Sequence, residues 1–217
     1  MVKTGRLPVL LTCVALISMV FATTGYTITW YFTKADFDAA VSTTLLEDFE
    51  NFVPKDTQLK SFTSNGVTYT GFAGFGGGNV WIASPGYTNF GASVPQPTDT
   101  SILTANGSED ITTDFSTPNG AVGFDTYFNG QYPTTVAFYG AQGLLDTIVF
   151  DASLNNKGYL GVMSTIPITS FRWTNMGWSI NSGIDNISVA AVPEPSTMLL
   201  IGSGLIGLLG LRRKFKK

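Results

Sequence analysis

The chain has 217 residues, a net charge of −3 and a single cysteine, Cys13, and it contains no histidine. The lack of histidine excludes imidazole-based catalytic triads and the usual zinc sites, and a lone cysteine excludes a disulfide framework. Between Thr27 and Val192, five basic residues stand against 14 acidic ones, a net charge of −9. Nucleic acid is therefore excluded as a partner, because like charges repel.

Residues 1–27 have the order typical of a secretory signal peptide. Lys3 and Arg6 precede the apolar run LPVLLTCVALISMVF, and the small residues ATTG follow it. The run has no amphipathic pattern, which disfavours a buried helix. A lipoprotein signal is disfavoured because Thr12 precedes Cys13 and the apolar run continues beyond it. We therefore predict a signal peptide over residues 1–27.

Residues 28–191 are predicted to form one domain that begins with a short helix and continues in strands. KADFDAAVS places Phe37, Ala40 and Val41 at helical spacing, with Thr33 as the N-cap. Segments rich in β-branched and aromatic residues follow at regular spacing, with turn residues between them, which predicts an all-β, antiparallel, jelly-roll-like β-sandwich. The predicted strands are TLLEDFE, GVTYTGF, NVWIAS, EDITTDFS, GAVGFDTYFN, TTVAFYG, LLDTIVFD, GYLGVM, ITSFRWT and IDNISVA.

The apolar positions of these strands predict the core of the sandwich, because alternate side chains of a strand point to the same face. The predicted core residues are Phe49, Val67, Tyr69, Val80, Ile82, Ile111, Phe115, Val122, Phe124, Val136, Phe138, Ile148, Phe150, Phe171, Trp173, Ile187 and Val189.

Two groups of acidic residues leave a hydrolytic function open. Glu47, Asp48 and Glu50 form one group, and Glu109 with Asp110 forms the other. A glycosidase needs two carboxylates across a cleft, so a secreted polysaccharide-active enzyme is the alternative function. Neighbours in a strand point to opposite faces, which favours the simpler interpretation of solvated residues at strand ends. No catalytic residue is assigned.

Aromatic side chains offer a possible platform for sugar rings. Trp81 and Trp173 alternate with apolar neighbours, which favours core positions for both. Tyr87 and Trp178 stand beside glycines in turn-rich segments and are the better candidates for exposed glycan contacts. The glycine-rich stretch GFAGFGGGNV lacks the lysine of a phosphate-binding loop and is typical of a hairpin turn.

Two acid-containing segments stand at the beginning and the end of the predicted sandwich. EDFE belongs to its first strand and GIDNI to its last. This layout is similar to jelly-roll carbohydrate-binding modules in which a structural calcium joins a first-strand acid to a last-strand acid. The resemblance implies calcium as a cofactor, with Glu50 and Asp185 as its side-chain ligands. The alternative is that Asp185 and Asn186 form a turn.

The last segment, VPEPSTMLLIGSGLIGLLGLRRKFKK, combines a rigid acidic hinge, an apolar run and a basic tail. The run from Met198 to Leu211 is 14 residues long and contains four glycines, whereas a stable membrane span needs about 20 residues. A single apolar helix is predicted here, marginal as a permanent anchor. The basic tail would remain in the cytoplasm and leave the acidic domain outside.

This segment resembles the C-terminal sorting segment of PEP-CTERM proteins, over residues 192–217. Pro193, Glu194 and Pro195 match the signature, and Arg212 with Arg213 match the basic end. FTKADFDAAVSTTLLEDFE also resembles the start of many such proteins. The resemblance implies export in a Gram-negative bacterium, transient membrane anchoring, cleavage by the membrane protease exosortase, and release to the cell surface or an exopolysaccharide matrix. A plain single-pass anchor is the alternative. The favoured function is a non-catalytic surface protein that binds polysaccharide.

Overall fold

A computed structural model describes residues 27–72, 78–86, 99–105, 110–128, 133–150, 156–175 and 182–191. This part of the chain forms an antiparallel β-sandwich with one short helix, as the sequence predicts. Its elements in chain order are β1 (Ile28–Tyr31), α1 (Lys34–Ala40), β2 (Thr44–Glu47), β3 (Ser61–Ser64), β4 (Val67–Gly71), β5 (Val80–Ala83), β6 (Ile102–Ala105), β7 (Asp110–Phe128), β8 (Thr134–Gly140), β9 (Gly143–Phe150), β10 (Asn156–Asn175) and β11 (Gly183–Ala191).

The strands form two layers that share the long strands β7 and β10. The first layer has the order β1, β10, β7, β11, β6, β5, and β2 pairs with the C-terminal half of β11. The second layer has the order β3, β4, β7, β10, β8, β9. Residues 121–128 of β7 and 156–163 of β10 belong to the first layer, and residues 110–115 and 168–175 belong to the second.

The continuity of β7 and β10 corrects the sequence analysis, which divided each of them into two strands. Turn-forming residues caused the division, since STPNG interrupts β7 and STIP interrupts β10. The register of the β7–β10 pair shifts in these stretches, between Met163 and Ser170 on β10. The two strands remain paired on either side of the shift. Strands β1, β3 and β6, each four residues long, were not predicted.

The predicted core residues pack together between the layers. All of them are buried in one hydrophobic cluster except Ile148, Phe150 and Val189, which are partly buried and pack against it. Phe124 of the first layer stacks on Phe171 of the second, with ring centroids 4.8 Å apart. The burial of Trp81 and Trp173 confirms that both belong to the core.

Helix α1 covers the outer face of the first layer. The Thr33 side chain accepts a hydrogen bond from the Asp36 backbone N–H and caps the helix, as predicted. Phe37 is completely buried, and its ring lies over two glycines. A Cβ atom on Gly123 would lie 2.7 Å from the Phe37 ring, and one on Gly161 would lie 2.6 Å from it. The close approach of helix and sheet therefore requires glycine at both positions.

No helix among the described residues is long and apolar enough to cross a membrane. The predicted signal peptide, up to Tyr26, and the predicted sorting segment, 192–217, lie outside the described residues. The domain boundaries at residues 27 and 191 remain predictions.

Candidate functional site

A bulge in β11 arranges polar side chains on the outer face of the first layer. Asp185 pairs with Asp125 and Ser188 pairs with Gly123, so two residues of β11 lie opposite one residue of β7. Asn186 occupies this bulge with φ of 52°, a left-handed conformation that asparagine tolerates better than most residues. Its amide Nδ2 donates to Asp125 Oδ2 at 2.8 Å and lies 3.2 Å from Asp185 Oδ2. Asp185 and Asn186 thus belong to a bulged strand and do not form the turn considered above.

The structure brings Glu50 and Asp185 together through the hydroxyl of Thr100. Thr100 Oγ1 lies 2.9 Å from Glu50 Oε1 and 2.5 Å from Asp185 Oδ2. Glu50 lies in the turn after β2, although the sequence analysis placed it within the strand. Because a hydroxyl has one hydrogen, Thr100 can donate to only one of the two carboxyl groups. Both contacts are hydrogen bonds when a protonated Asp185 donates to Thr100 and Thr100 donates to Glu50.

The surroundings of the two carboxyl groups shift their pKa values in opposite directions. Burial raises the pKa of Asp185 to about 7, and the charges of Asp125 and Glu50 also raise it, while the contact with Thr100 and the hydrogen bond from the Asn186 backbone act to lower it. Burial also acts to raise the pKa of Glu50, but hydrogen bonds from Ser101 and Thr100 outweigh it and lower this pKa below its usual value. The Ser101 N–H donates to Glu50 Oε1 at 2.7 Å, and Lys55 Nζ lies 3.5 Å from Glu50 Oε2. Of the two groups, Asp185 is therefore the one that takes up a proton first as the pH falls.

An open groove of about 830 Å³ adjoins this cluster. Asp125, Asn186 and Ser188 come from the sheet, while helix α1 contributes Lys34 and Asp38, which form an ion pair at 2.6 Å. The segment between α1 and β2 and the exposed Leu45 of β2 complete the lining, which consists of Lys34, Asp38, Val41, Ser42, Thr43, Leu45, Asp125, Asn186 and Ser188.

Two acids line the groove, and both make polar contacts. Asp38 is paired with Lys34, and Asp125 accepts a hydrogen bond from Asn186. Asp185 is completely buried and does not line the groove. The groove therefore presents hydrogen-bond donors and acceptors around an open depression.

The chemistry of Glu50, Thr100 and Asp185 fits a hard cation, because all three present oxygen atoms. A calcium ion would take the place of the proton that Asp185 shares with Thr100. Within the described ranges, no three acidic, cysteine or histidine side chains are grouped as a metal site. Calcium at Glu50 and Asp185 stays a prediction.

The remaining site residues of the sequence analysis lie outside the described residues. These are Tyr87, Trp178, Pro193, Glu194, Pro195, Arg212 and Arg213. Sequence reasoning did not find Thr100, Asp125 or Asn186. The consecutive polar residues in IDNIS interrupt the alternation of a strand, and such an interruption is a signal for a bulge.

A protein-family model matches a segment near the end of the sequence. Residues 191–214 match the model of the PEP-CTERM protein-sorting motif. The chain carries a PEP-CTERM sorting motif. This motif indicates export and membrane anchoring before release or display at the cell surface. No curated protein matches the sequence.

Solved structures similar to this PEP-CTERM protein are distant in sequence. The K1 cleaved adhesin domain of Lys-gingipain from Porphyromonas gingivalis is 9% identical, with a TM-score of 0.41 over 69% of this chain and 98% of that one. A Streptococcus pneumoniae fucose binding module is 12% identical, with a TM-score of 0.35 over 52% and 93%. TmCBM61, solved with β-1,4-galactotriose, is 11% identical, with a TM-score of 0.32 over 67% and 94%.

Proposed function

We propose that this PEP-CTERM protein is a non-catalytic component of the cell surface or extracellular matrix, cleaved by exosortase, and that its groove binds polysaccharide. The observation that carries the binding proposal is the bulge at Asp185 and Asn186, which places the Asn186 amide beside the Asp125 carboxylate at an open groove. A carboxylate accepts hydrogen bonds and an amide both donates and accepts them. Such a pair matches adjacent hydroxyl groups of a sugar.

The surroundings of this pair favour a neutral polysaccharide. The predicted domain has a net charge of −9, so an acidic polymer would be repelled. Leu45, which is 53% exposed at the edge of the groove, offers an apolar surface for the carbon face of a sugar ring. Tyr87 and Trp178 are proposed as additional contacts. Calcium is proposed as a structural cofactor that stabilises the junction of Glu50 and Asp185.

Binding is tested with the variant Asn186→Gly, since glycine adopts the left-handed backbone and only the side chain is lost. Asn65→Gly is a matched control, because Asn65 also has a positive φ, of 46°, and also donates to a carboxylate, that of Glu47. Asn65 does not line the groove. We expect affinity electrophoresis with neutral polysaccharides to show at least roughly tenfold weaker binding for Asn186→Gly alone, as two lost hydrogen bonds to sugar would produce.

Two results would contradict the binding proposal. Either no neutral polysaccharide retards the parent protein, or the two variants bind equally well. Release of reducing sugar ends during incubation with polysaccharide would instead support the alternative of a polysaccharide-active enzyme.

Sorting is tested at Glu194, whose charge stands between Pro193 and Pro195 in the sequence. Glu194→Ala is expected to increase the uncleaved fraction in the membrane, and deletion of RRKFKK to impair retention before cleavage. The decisive measurement is the intact mass of the protein from the native cell surface. A C-terminus that still ends at Lys217 would indicate a plain anchor.

A further inference from the structure

Two hairpin turns, the two stretches where β7 and β10 pass between the layers, and the two ends of the described domain meet at one end of the sandwich, which we name the turn end. It comprises residues 65–66, 116–120, 140–143 and 164–167 together with Thr27 and Ala191. The Thr165 N–H donates to the carbonyl of Thr27, and the Ser116 N–H donates to that of Gly66. Asn119 pairs with Ala191 on one side and with Ile168 on the other, and Ile168 pairs with Gly140. These contacts connect all the parts of the turn end.

The turn end is uncharged, whereas the domain as a whole is acidic. Its segments are Asn65–Gly66, STPNG, GAQG and STIP, and none of these described residues has an ionisable side chain. Glu47 comes near through its hydrogen bond with Asn65, but it is buried. By contrast, Glu50, Asp56 and Asp99 lie in the loops toward the opposite end. Strand β7 begins there at Asp110 and runs toward the turn end, with the exposed Asp114 two residues before it.

The first and the last residue of the described domain both lie at the turn end. Strand β1 begins where Ile28 pairs with Ser164, and β11 ends where Ala191 pairs with Asn119. Since β10 and β7 are the two strands between them, the two ends are three strand spacings apart, or about 14 Å. Segments that precede and follow the domain are thus attached to the same end of it.

The sorting motif begins without a spacer after the sandwich. The family match starts at Ala191, the last residue of β11, and the apolar run starts at Met198. Six residues separate these positions, and the seven Cα–Cα steps between them span at most about 25 Å. While the apolar run is held in the bilayer, the point where β11 ends stays within this distance of the lipid.

We propose that the turn end is the surface that this domain presents to the lipid headgroups while the protein is anchored. The inference rests on the anchoring by the sorting motif that is part of the proposed function. A short tether brings the turn end close to the lipid, and the absence of charged side chains allows contact with an anionic surface. The opposite end, with its acidic loops, would be repelled by anionic lipids, so the domain stands with that end outward.

Strand β9 provides a matched pair of positions for the test. Leu144 follows the turn at 140–143 and Val149 lies near the far end of the strand, and each side chain is 59% exposed. Val149 lies five positions after Leu144, or about 17 Å along the strand. The chain without the predicted signal peptide, residues 28–217, has no cysteine of its own, and with either Leu144→Cys or Val149→Cys it carries one donor fluorophore. It is reconstituted, uncleaved, in vesicles of phosphatidylcholine and phosphatidylglycerol that contain a headgroup-labelled acceptor lipid.

We expect energy transfer from position 144 to be clearly more efficient than transfer from position 149. Equal transfer, or stronger transfer from position 149, would overturn the proposed orientation while leaving membrane anchoring intact. A chain that does not sediment with the vesicles would overturn both the anchoring and the orientation. A variant without residues 198–211 supplies the baseline for transfer without anchoring.

Discussion

Replacing Asp185 by asparagine should abolish a loss of stability that the parent protein suffers as the pH rises. Asp185 titrates near pH 7 in the folded chain and near 3.8 when unperturbed. Between these values the unfolded chain releases a proton that the folded chain retains, so the free energy of unfolding falls with increasing pH. A difference of this size corresponds to about 4 kcal/mol, because each tenfold change in an ionisation constant is worth about 1.4 kcal/mol.

Asparagine reproduces the protonated form of Asp185. Its amide NH₂ can donate to Thr100, which still donates to Glu50, and its carbonyl can accept from the Asn186 N–H. We therefore expect Asp185→Asn to be more stable than the parent by roughly 1–2 kcal/mol at pH 5 and by about 4 kcal/mol at pH 8, so that the difference grows by about 2–3 kcal/mol over this range. The pKa of Glu50 is lowered, so its contribution is lost only under more acidic conditions and does not disturb this window.

The assay is urea unfolding of the domain at pH 5, 6, 7 and 8 in the presence of a chelator. Asp38→Asn is the control, because it removes an exposed carboxylate whose ion pair is worth at most about 1 kcal/mol, and it should retain the dependence on pH. A parent protein with flat stability, together with a destabilised Asp185→Asn, would refute the reasoning. It would mean that the ionised form of Asp185 is the favourable one.

Three further predictions concern stability. If calcium binds at Glu50 and Asp185, a concentration of 100 Kd should add about 2.7 kcal/mol, and a chelator should lower the Tm; an unchanged melting curve removes the idea. Gly123→Ala should cost about 1–3 kcal/mol by displacing Phe37, and unaltered urea unfolding would contradict that packing. Arg172→Lys should cost about 1–2 kcal/mol through loss of its paired contacts with Asp110, whereas a variant as stable as the parent would show this pair to be unimportant.

The fold was predictable because alternation along the strands is a local property of the sequence. Val136 and Phe138 alternate with the less buried Thr135, Ala137 and Tyr139 on β8, and both are buried as predicted. The continuity of β7 was not predictable, because Pro118 and its neighbours in STPNG are typical turn residues. In the folded protein they lie where the strand passes from one layer to the other, and pairing with β10 on both sides keeps the strand intact.

The candidate site was only partly predictable, because its contacts join distant parts of the chain. Glu50 and Asp185 were predicted together from a resemblance, and the structure brings both to one hydroxyl. That hydroxyl belongs to Thr100, in a Pro- and Thr-rich segment without periodicity, 50 residues from one partner and 85 from the other. Nothing in the local sequence distinguishes Thr100 from the neighbouring threonines.

Strand β11 runs from the groove to Ala191, where the sorting motif begins. This arrangement leads to a last prediction. Ser188 lines the groove and lies three residues from Ala191, or about 10 Å along the strand. With the turn end against the lipid, a long polysaccharide in the groove would collide with headgroups, while a short oligosaccharide would fit. Cleavage of the sorting segment should therefore strengthen binding of the polymer and leave binding of the oligosaccharide unchanged. The measurement compares the affinity of vesicle-anchored and cleaved protein for the same glycan at both lengths. A cleaved protein that binds the polymer no better than the anchored one would contradict the prediction.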